Sequence, residues 1–449
     1  MHSYLPHTDE TRLNMLKDIG LNEVEDLFRQ INTNVRVKEI ELPEGISEQD
    51  TRRKLSGMAN KNRTSGEVVS FLGGGVYNRY VPACISTIIQ RSEFITSYTP
   101  YQPEVSQGTL QAIFDFQTLI CNLTGMDVSN ASVYDGASAC AESVLMAVRL
   151  ARKTEILVSE ALNPEYKKVL ETYCYGEDIK ISYLPVKEGK TVLDGFINLD
   201  EQACVLIQNP NYFGCIEDHN VFSKIVESKA KLITCVDPIS LAVLKSPAEY
   251  GADIVVGDFQ QLGINMNFGG PHGGFIASKN TYLRQLPGRI VGLTQDKDGK
   301  EAYTLTLQTR EQHIRREKAT SNICTNNALM ALAATVYMSV FGPQGLREVA
   351  EISIQRAHYM ADKLSQVPGI KVLYCDFMHE FVFQADNISS GELINKLAEK
   401  GIFIGIDLSC KYDNLQNCVL VSVTEMNSVE DIDRAVEAVN NLVSICLKN

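Results

Sequence analysis

No excess of basic residues marks this chain: 42 Lys and Arg stand against 55 Asp and Glu, a formal net charge of -13. Such a balance repels polyanions and argues against nucleic acid or an anionic membrane surface as a partner. Basic pairs such as Arg52-Arg53 and Arg315-Arg316 are short and read as solvated faces. No uninterrupted apolar run approaches the roughly 18 residues of a membrane span, and MHSYLPHTDETRLNML at the start lacks a basic segment followed by an apolar one. A cytoplasmic location is the expectation that follows. CxxC pairs are also missing. The 12 cysteines are scattered singly, with no histidine at metal-ligand spacing, and are expected to be reduced, buried and packed as small apolar groups. There is no internal repeat and no low-complexity tract.

What is present is enough for a large core: 449 residues, 44% hydrophobic and 22% charged, room for a major domain and one or two smaller ones. Thr8 or Asp9 is placed to cap a helix running to Ile19 and ended by Gly20, with a second helix from Glu23. Two short helices cannot bury their apolar faces alone, so residues 1–65 read as a helical arm that must dock on something. From about 105 to 280, helices over Gly108 to Leu123 and Ala137 to Ala151 alternate with the apolar runs ILV (156–158), KISYLPV, ACVLIQ, KLITCVD and DIVVGD. Short Val- and Ile-rich runs between helices predict parallel strands covered on both faces, an α/β open sheet spanning 66–341. After Gly342-Pro343 the pattern becomes a helix (346–364), strands at 370–374, 380–384, 402–407 and 418–424, a helix at 391–399 and a last helix from Glu430. This predicts a small α+β domain over 342–449.

In open α/β sheets, ligands sit at the carboxyl ends of the strands. There the sequence offers Tyr134-Asp135-Gly136-Ala137-Ser138-Ala139, whose small residues at a helix start either admit an anion such as phosphate or serve as plain capping. Asp237, at the end of KLITCVD, suits a partner for the protonated pyridine nitrogen of pyridoxal phosphate, or equally a helix cap before Pro238. A pyridoxal enzyme of this architecture would carry its Schiff-base lysine just after the next strand, where this chain has Asp258-Phe259-Gln260-Gln261. Four further clusters, around Tyr98 to Glu104, Gly269 to Gly274, Pro287 to Arg289 and Thr309 to Asn322, are dense in Tyr, Arg, His and Asn. Such loops line a site or an interface, or are simply hydrogen-bonded turns; His272 between glycines reads first as a turn residue.

Taken together, the strings SYTPYQPEVSQGTLQAIFDFQTLICNLTGMD, YDGASA, VDPISL, GADIVVGD, GGPHGGF, PGRIVG, QTREQHIRREKATSNICTN and VSVTEMN resemble the N-terminal half of the glycine decarboxylases, the P-proteins of the glycine cleavage system. The resemblance runs from the N-terminal helices to about residue 440, and the length of 449 matches the first piece of the bacterial forms split in two. It implies the aminotransferase-like, type I pyridoxal-enzyme fold with an arm, a large domain and a small one. It also implies a cofactor lysine in the second piece, in a His-Lys dipeptide whose place is taken here by Gln260 and Gln261. By that register the chain carries no catalytic residue of its own, and Ser138 and Asp237 mark a vestigial pocket. Lys245, before the strand, and Lys279, after the following one, are not placed to substitute.

The implied activity is glycine decarboxylation, release of carbon dioxide and transfer of the aminomethyl group to the lipoyl arm of H-protein. The implied partners are a second, pyridoxal-phosphate-bearing subunit in a pair of heterodimers, H-protein and glycine. Tyr98, Tyr101 and Asn322, with Arg289 and His272 behind them, are the residues expected to line the partner's pocket, where hydroxyls and an amide orient a carboxylate or phosphate. Two other readings stay open: an independent pyridoxal enzyme, against which the missing lysine counts, and a purely structural or regulatory partner.

Overall fold

The apolar runs read as strands form the centre of a seven-stranded sheet in a computed structural model that describes residues 7–37, 40–193 and 198–446. The chain divides into two compact units, residues 1–63 and 64–449.

In the first unit, helix α1 (Asp9–Asp18) is capped by Thr8, whose hydroxyl accepts from Thr11 N at 3.1 Å. The second expected helix is only a 3₁₀ turn, Val24–Phe28. Asp26 accepts from the backbone N–H groups of Asn22 and Glu23, and this local bonding competes with a longer helix. Helix α2 (Glu48–Ala59) starts on the hydroxyl of Ser47. Of the described residues of this unit Leu16 alone is buried, while Leu13, Met15, Phe28, Val35 and Leu42 are exposed.

The second unit carries the sheet. Its strands are β1 (Val128–Ser129), β2 (Glu155–Ser159), β3 (Lys180–Leu184), β4 (Cys204–Asn209), β5 (Lys231–Val236), β6 (Ile254–Asp258) and β7 (Gly274–Ser278), in the order β1-β7-β6-β5-β4-β2-β3. All neighbours are parallel except β7, which returns antiparallel to β6 and to β1 without a crossover helix. Helix α3 (Gln107–Thr124) packs Phe116 and Ile120 on one face, with Val255 of β6. Helix α4 (Gly136–Ala151) covers the other, where Ile254 and Val256 point, as the two-residue strand period requires. Helix α4 is buried through Gly136, Ala137, Ala139 and Ala141, small side chains that let it lie close on the strands. Helix α5 (Pro164–Tyr175) crosses from β2 to β3. A hairpin follows, β8 (Ile290–Gln295) with β9 (Glu301–Thr306).

The helical stretch α6 (Ala328–Ser365) is broken at Gly342, whose φ of 60° and ψ of -175° are not helical, and its second part opens with Pro343, close to the expected start at 346. By length and composition it would suit a bilayer, yet Ala331, Ala334, Tyr337 and Met338 are buried in the core. Beyond it lies an antiparallel sheet ordered β10 (Ile370–Val372), β11 (Glu380–Ala385), β13 (Cys418–Ser422), β12 (Ile406–Asp407). Its Phe381 and Phe383 pack with Met360 and Leu364 of α6, with Leu393 of α7 (Ser390–Glu399) and with Ile432 of α8 (Val429–Cys446). The strap ahead of α3 pairs Val69–Ser70 with Ile402–Phe403 and then passes back toward the large sheet. Cys140, Cys174, Cys204, Cys215, Cys235 and Cys418 are buried as expected; Cys84, Cys324, Cys375 and Cys410 are exposed, which corrects the expectation of burial for those four.

Candidate functional site

The carboxyl ends of β5 and β6 deliver Asp237 and Gln261 to the same place. Gln261 is 4% exposed, and its Nε2 donates to Asp237 Oδ1 at 2.9 Å. Its Oε1 accepts from Arg79 Nε at 3.0 Å and Arg79 Nη2 at 2.9 Å. Arg79, from the strap, also donates to Ser353 of α6 and to Glu425 Oε2, each at 2.7 Å. Asp237 keeps a cap role too, accepting from Ile239 N at 2.8 Å, and its second oxygen lies 3.6 Å from His379 Nδ1. Beside them Glu380 accepts from Gly74 N at 2.7 Å and from the Tyr77 hydroxyl at 2.8 Å. Gln260 bonds the backbone of Tyr77 in both directions.

Electrostatics follow from the burial. Desolvation raises the Asp237 carboxyl, with Arg79 pulling the other way. Burial pushes Glu380 up to about 7. Burial, then the Arg79 guanidinium, holds His379 well below the ordinary histidine value, so its ring is neutral.

The start of α4 is equally occupied. Asp258 Oδ2 accepts from Gly136 N at 3.1 Å, and Asp135 Oδ1 accepts from Ser138 N at 2.7 Å. The free N–H groups that could cradle a phosphate are thus bonded to carboxylates of the chain itself. His272 Nδ1 stands 3.6 Å from Asp258 Oδ2, a pairing that raises the histidine above its usual value. Between these groups, lined by Gly75, Tyr77, Tyr166, Asp237, Asp258 and Gln261, the cavity measures about 30 Å³. That is room for a water or two, against roughly 300–1,000 Å³ for a small-molecule pocket. The residues present do not fit pyridoxal phosphate: there is no amine at 261, an anion already sits on the helix start, and the ring space is filled. Lys279 donates to Asp253 at 2.8 Å, at the amino end of β6, and Lys245 is exposed.

The outer loops form a second surface. Arg289 donates to Thr99 Oγ1 at 3.1 Å, to Thr325 Oγ1 at 3.2 Å and to the Cys324 carbonyl at 3.3 Å. Asn327 donates to the His272 carbonyl at 2.6 Å and the Tyr134 carbonyl at 2.9 Å. Arg289 and Asn327 thereby tie loops 97–103, 268–273 and 324–327 together. Tyr98 and Tyr101, 71% and 73% exposed, stand out from the first loop, with Val105 and Phe268 also exposed. Asn322 does not join them; it lines a separate cleft with Tyr173 and Glu142. Sequence reasoning missed Arg79, His379, Glu380 and Glu425 altogether, although a carboxylate opening the apolar strand EFVF is a signal that Glu380 is paired.

A family profile described as glycine cleavage system P-protein matches residues 2–439. Among curated relatives, a probable glycine dehydrogenase (decarboxylating) subunit 1 of Moorella thermoacetica is 47% identical over 447 residues, covering 98% of this chain and 100% of its own. A crystal structure of glycine decarboxylase (P-protein) of the glycine cleavage system, in inhibitor-bound form, superposes with a TM-score of 0.90 at 41% identity, covering 98% of this chain and 100% of that one. The glutamate decarboxylase of Lactobacillus brevis superposes at 0.66 with 13% identity, covering 93% of this chain and 97% of that one, a likeness in fold alone. That fold is the aminotransferase-like, type I architecture of the pyridoxal enzymes.

Proposed function

This chain belongs to the glycine cleavage system P-protein family, and from that premise we propose that it is the lysine-free first subunit of a two-subunit glycine decarboxylase. With a second subunit it decarboxylates glycine, releases carbon dioxide and passes the aminomethyl group to the lipoyl arm of H-protein in the cytoplasm. Pyridoxal phosphate belongs to the chemistry of the family and is carried by the second subunit. One observation carries this assignment: Gln261 stands at the end of β6, clasped between Asp237 and Arg79 in a cavity of about 30 Å³.

The role left to this chain is to complete its neighbour's site. Residues 1–65 act as an arm, 66–341 as the large domain and 342–449 as the small one. Enzymes of this fold assemble about a two-fold axis, which favours a pair of heterodimers. The exposed Tyr98 and Tyr101, backed by Arg289 and by His272 in the adjoining loop, supply hydroxyl donors to a carboxylate-bearing substrate.

The test is absorbance of the purified chain with pyridoxal phosphate, before and after borohydride reduction, alone and with the second subunit. The chain alone is expected to form no reducible aldimine. The mixture is expected to form one, and to exchange the glycine carboxyl with bicarbonate once H-protein is added. A stable reducible aldimine on this chain alone overturns the assignment. Tyr98→Phe and Tyr101→Phe are expected to lower the exchange rate while leaving assembly intact; unchanged exchange in both marks a purely structural partner.

A further inference from the structure

Arg315 and Arg316, a solvated face by sequence alone, belong to a loop with more structure than a solvated face needs. Residues 310–320 are closed at their base, where Thr320 N donates to the Arg310 carbonyl at 3.1 Å. Compact loops whose ends adjoin are frequently functional. From Arg310 to Lys318 this loop carries four Arg or Lys against two Glu, a local excess of two positive charges with His313 besides, in a chain whose net charge is -13.

Its inward groups hold the base. Arg310 donates to the carbonyls of Leu307 and Gly288, each at 3.1 Å. Glu311, 13% exposed, lies 3.8 Å from Arg289 Nε and 3.6 Å from His313 Nδ1. The outward groups are unmatched. Arg315, Arg316 and Lys318 are exposed with Ile314 among them, itself 50% exposed. Among the described residues no carboxylate stands within 4 Å of any of these three cations. Arg315 keeps one bond, from Nε to the Thr309 carbonyl at 3.1 Å, whereas the side chains of Arg316 and Lys318 make none among the described residues. Arg316 is also held at φ 54° and ψ -123°, a backbone conformation that an arginine seldom takes and that gathers at binding sites.

Arg289 connects the base of this loop to the rim of the site proposed above. The guanidinium that faces Glu311 also donates to Thr99, between Tyr98 and Tyr101. A partner that stays bound buries apolar surface, which the aromatic rim offers. One that must arrive, react and leave gains more from charge, which speeds encounter and fixes register. A chain of net charge -13 repels an acidic visitor at long range, so a patch of unneutralised cations marks where such a visitor lands.

We propose that the summit of this loop, Ile314, Arg315, Arg316 and Lys318, is the docking surface for an acidic face of the lipoyl-carrying H-protein, which brings its arm to the site beside Tyr98 and Tyr101. This rests on the function proposed above, whose second subunit and carrier it takes as given.

Calorimetric titration of H-protein into the complex of this chain, the second subunit and pyridoxal phosphate tests it, together with glycine–bicarbonate exchange at varied H-protein. Raising ionic strength from about 0.01 M to about 0.15 M is expected to weaken H-protein binding at least about threefold. Arg316→Glu combined with Lys318→Glu is expected to weaken it at least about tenfold and to raise the half-saturating H-protein concentration in exchange by a similar factor, with that of glycine unchanged. Arg316→Lys combined with Lys318→Arg, which keeps both charges, is expected to bind as the parent chain does. H-protein binding unmoved by the charge reversal overturns the docking surface, and normal exchange beside it leaves the function standing. Loss of assembly with the second subunit in sedimentation also overturns it, because the loop then belongs to the subunit interface. Charge-dependent H-protein binding without any exchange upholds the docking surface and overturns instead the function on which its placement rests.

Discussion

Arg79 joins the strap, α6, the end of β6 and the turn after β13 through one guanidinium, with its side chain 1% exposed and Glu425 10% exposed. Removing one member of a buried pair strands the other, so Arg79→Met is expected to cost about 3–5 kcal/mol in urea unfolding. Glu380 gives a pH signature. Its carboxyl rises from 4.5 to about 7 on folding, so the folded chain holds that proton more tightly than the unfolded one. The stability this contributes is full below about 4.5 and is lost as pH rises through about 7, at most about 3 kcal/mol. Glu380→Gln is therefore expected to flatten the decline of unfolding free energy between those values; an unchanged slope would show that Glu380 stays ionised. His272 is raised by the Asp258 carboxylate 3.6 Å away, and Asp258→Asn is expected to lower the histidine pKa in an NMR titration of the ring. Asp237 and Gln261 were legible because strand ends are short, local patterns. Arg79 was not: its partners lie 182, 274 and 346 positions away, and nothing near YNRYVP announces them.

Elements were the most readable level. The runs KISYLPV, ACVLIQ, KLITCVD and DIVVGD became β3 to β6 with ends shifted by one or two residues, because fully buried strands must be apolar on both faces. The failures have local causes. Asp26 diverts the turn after Glu23 from α-helix, whereas the break at Gly342-Pro343 falls where the sequence placed it. What Gly-Ala-Ser at the start of α4 does was undecidable from the string, since the anion it meets is Asp258, over a hundred residues later. This gives a prediction at the scale of the element. Gln261→Lys alone is expected to form no reducible aldimine with pyridoxal phosphate, because the space is about 30 Å³ and Asp258 already bonds Gly136 N. The new ammonium would also face the Arg79 guanidinium, so a lowered melting temperature is expected with it.

At the scale of the molecule, the loops that carry Tyr98, Tyr101, Val105 and Phe268 present apolar and aromatic groups to solvent in a chain of net charge -13. Exposed aromatic clusters of this kind mark association surfaces. Phe268→Asp is expected to weaken assembly with the second subunit at least about tenfold in sedimentation while leaving the melting temperature of the isolated chain unchanged, since Phe268 packs on nothing here. The density of Tyr, Arg and His marked these loops as lining a site or an interface, and the family resemblance singled out Tyr98 and Tyr101; composition alone does not say which tyrosines face outward.

The clasp of Arg79, Gln261 and Asp237 bears finally on how the cell makes this protein. An enzyme that waits for its vitamin is born with a hollow, and in scarcity the unfilled copies are the ones that loosen and are cleared. This chain is born with the hollow already plugged by a guanidinium, a carboxamide and a carboxylate of its own. If the cofactor sits on the second subunit as proposed, this chain folds without waiting on vitamin B6, and its melting temperature is expected to be unchanged by added pyridoxal phosphate.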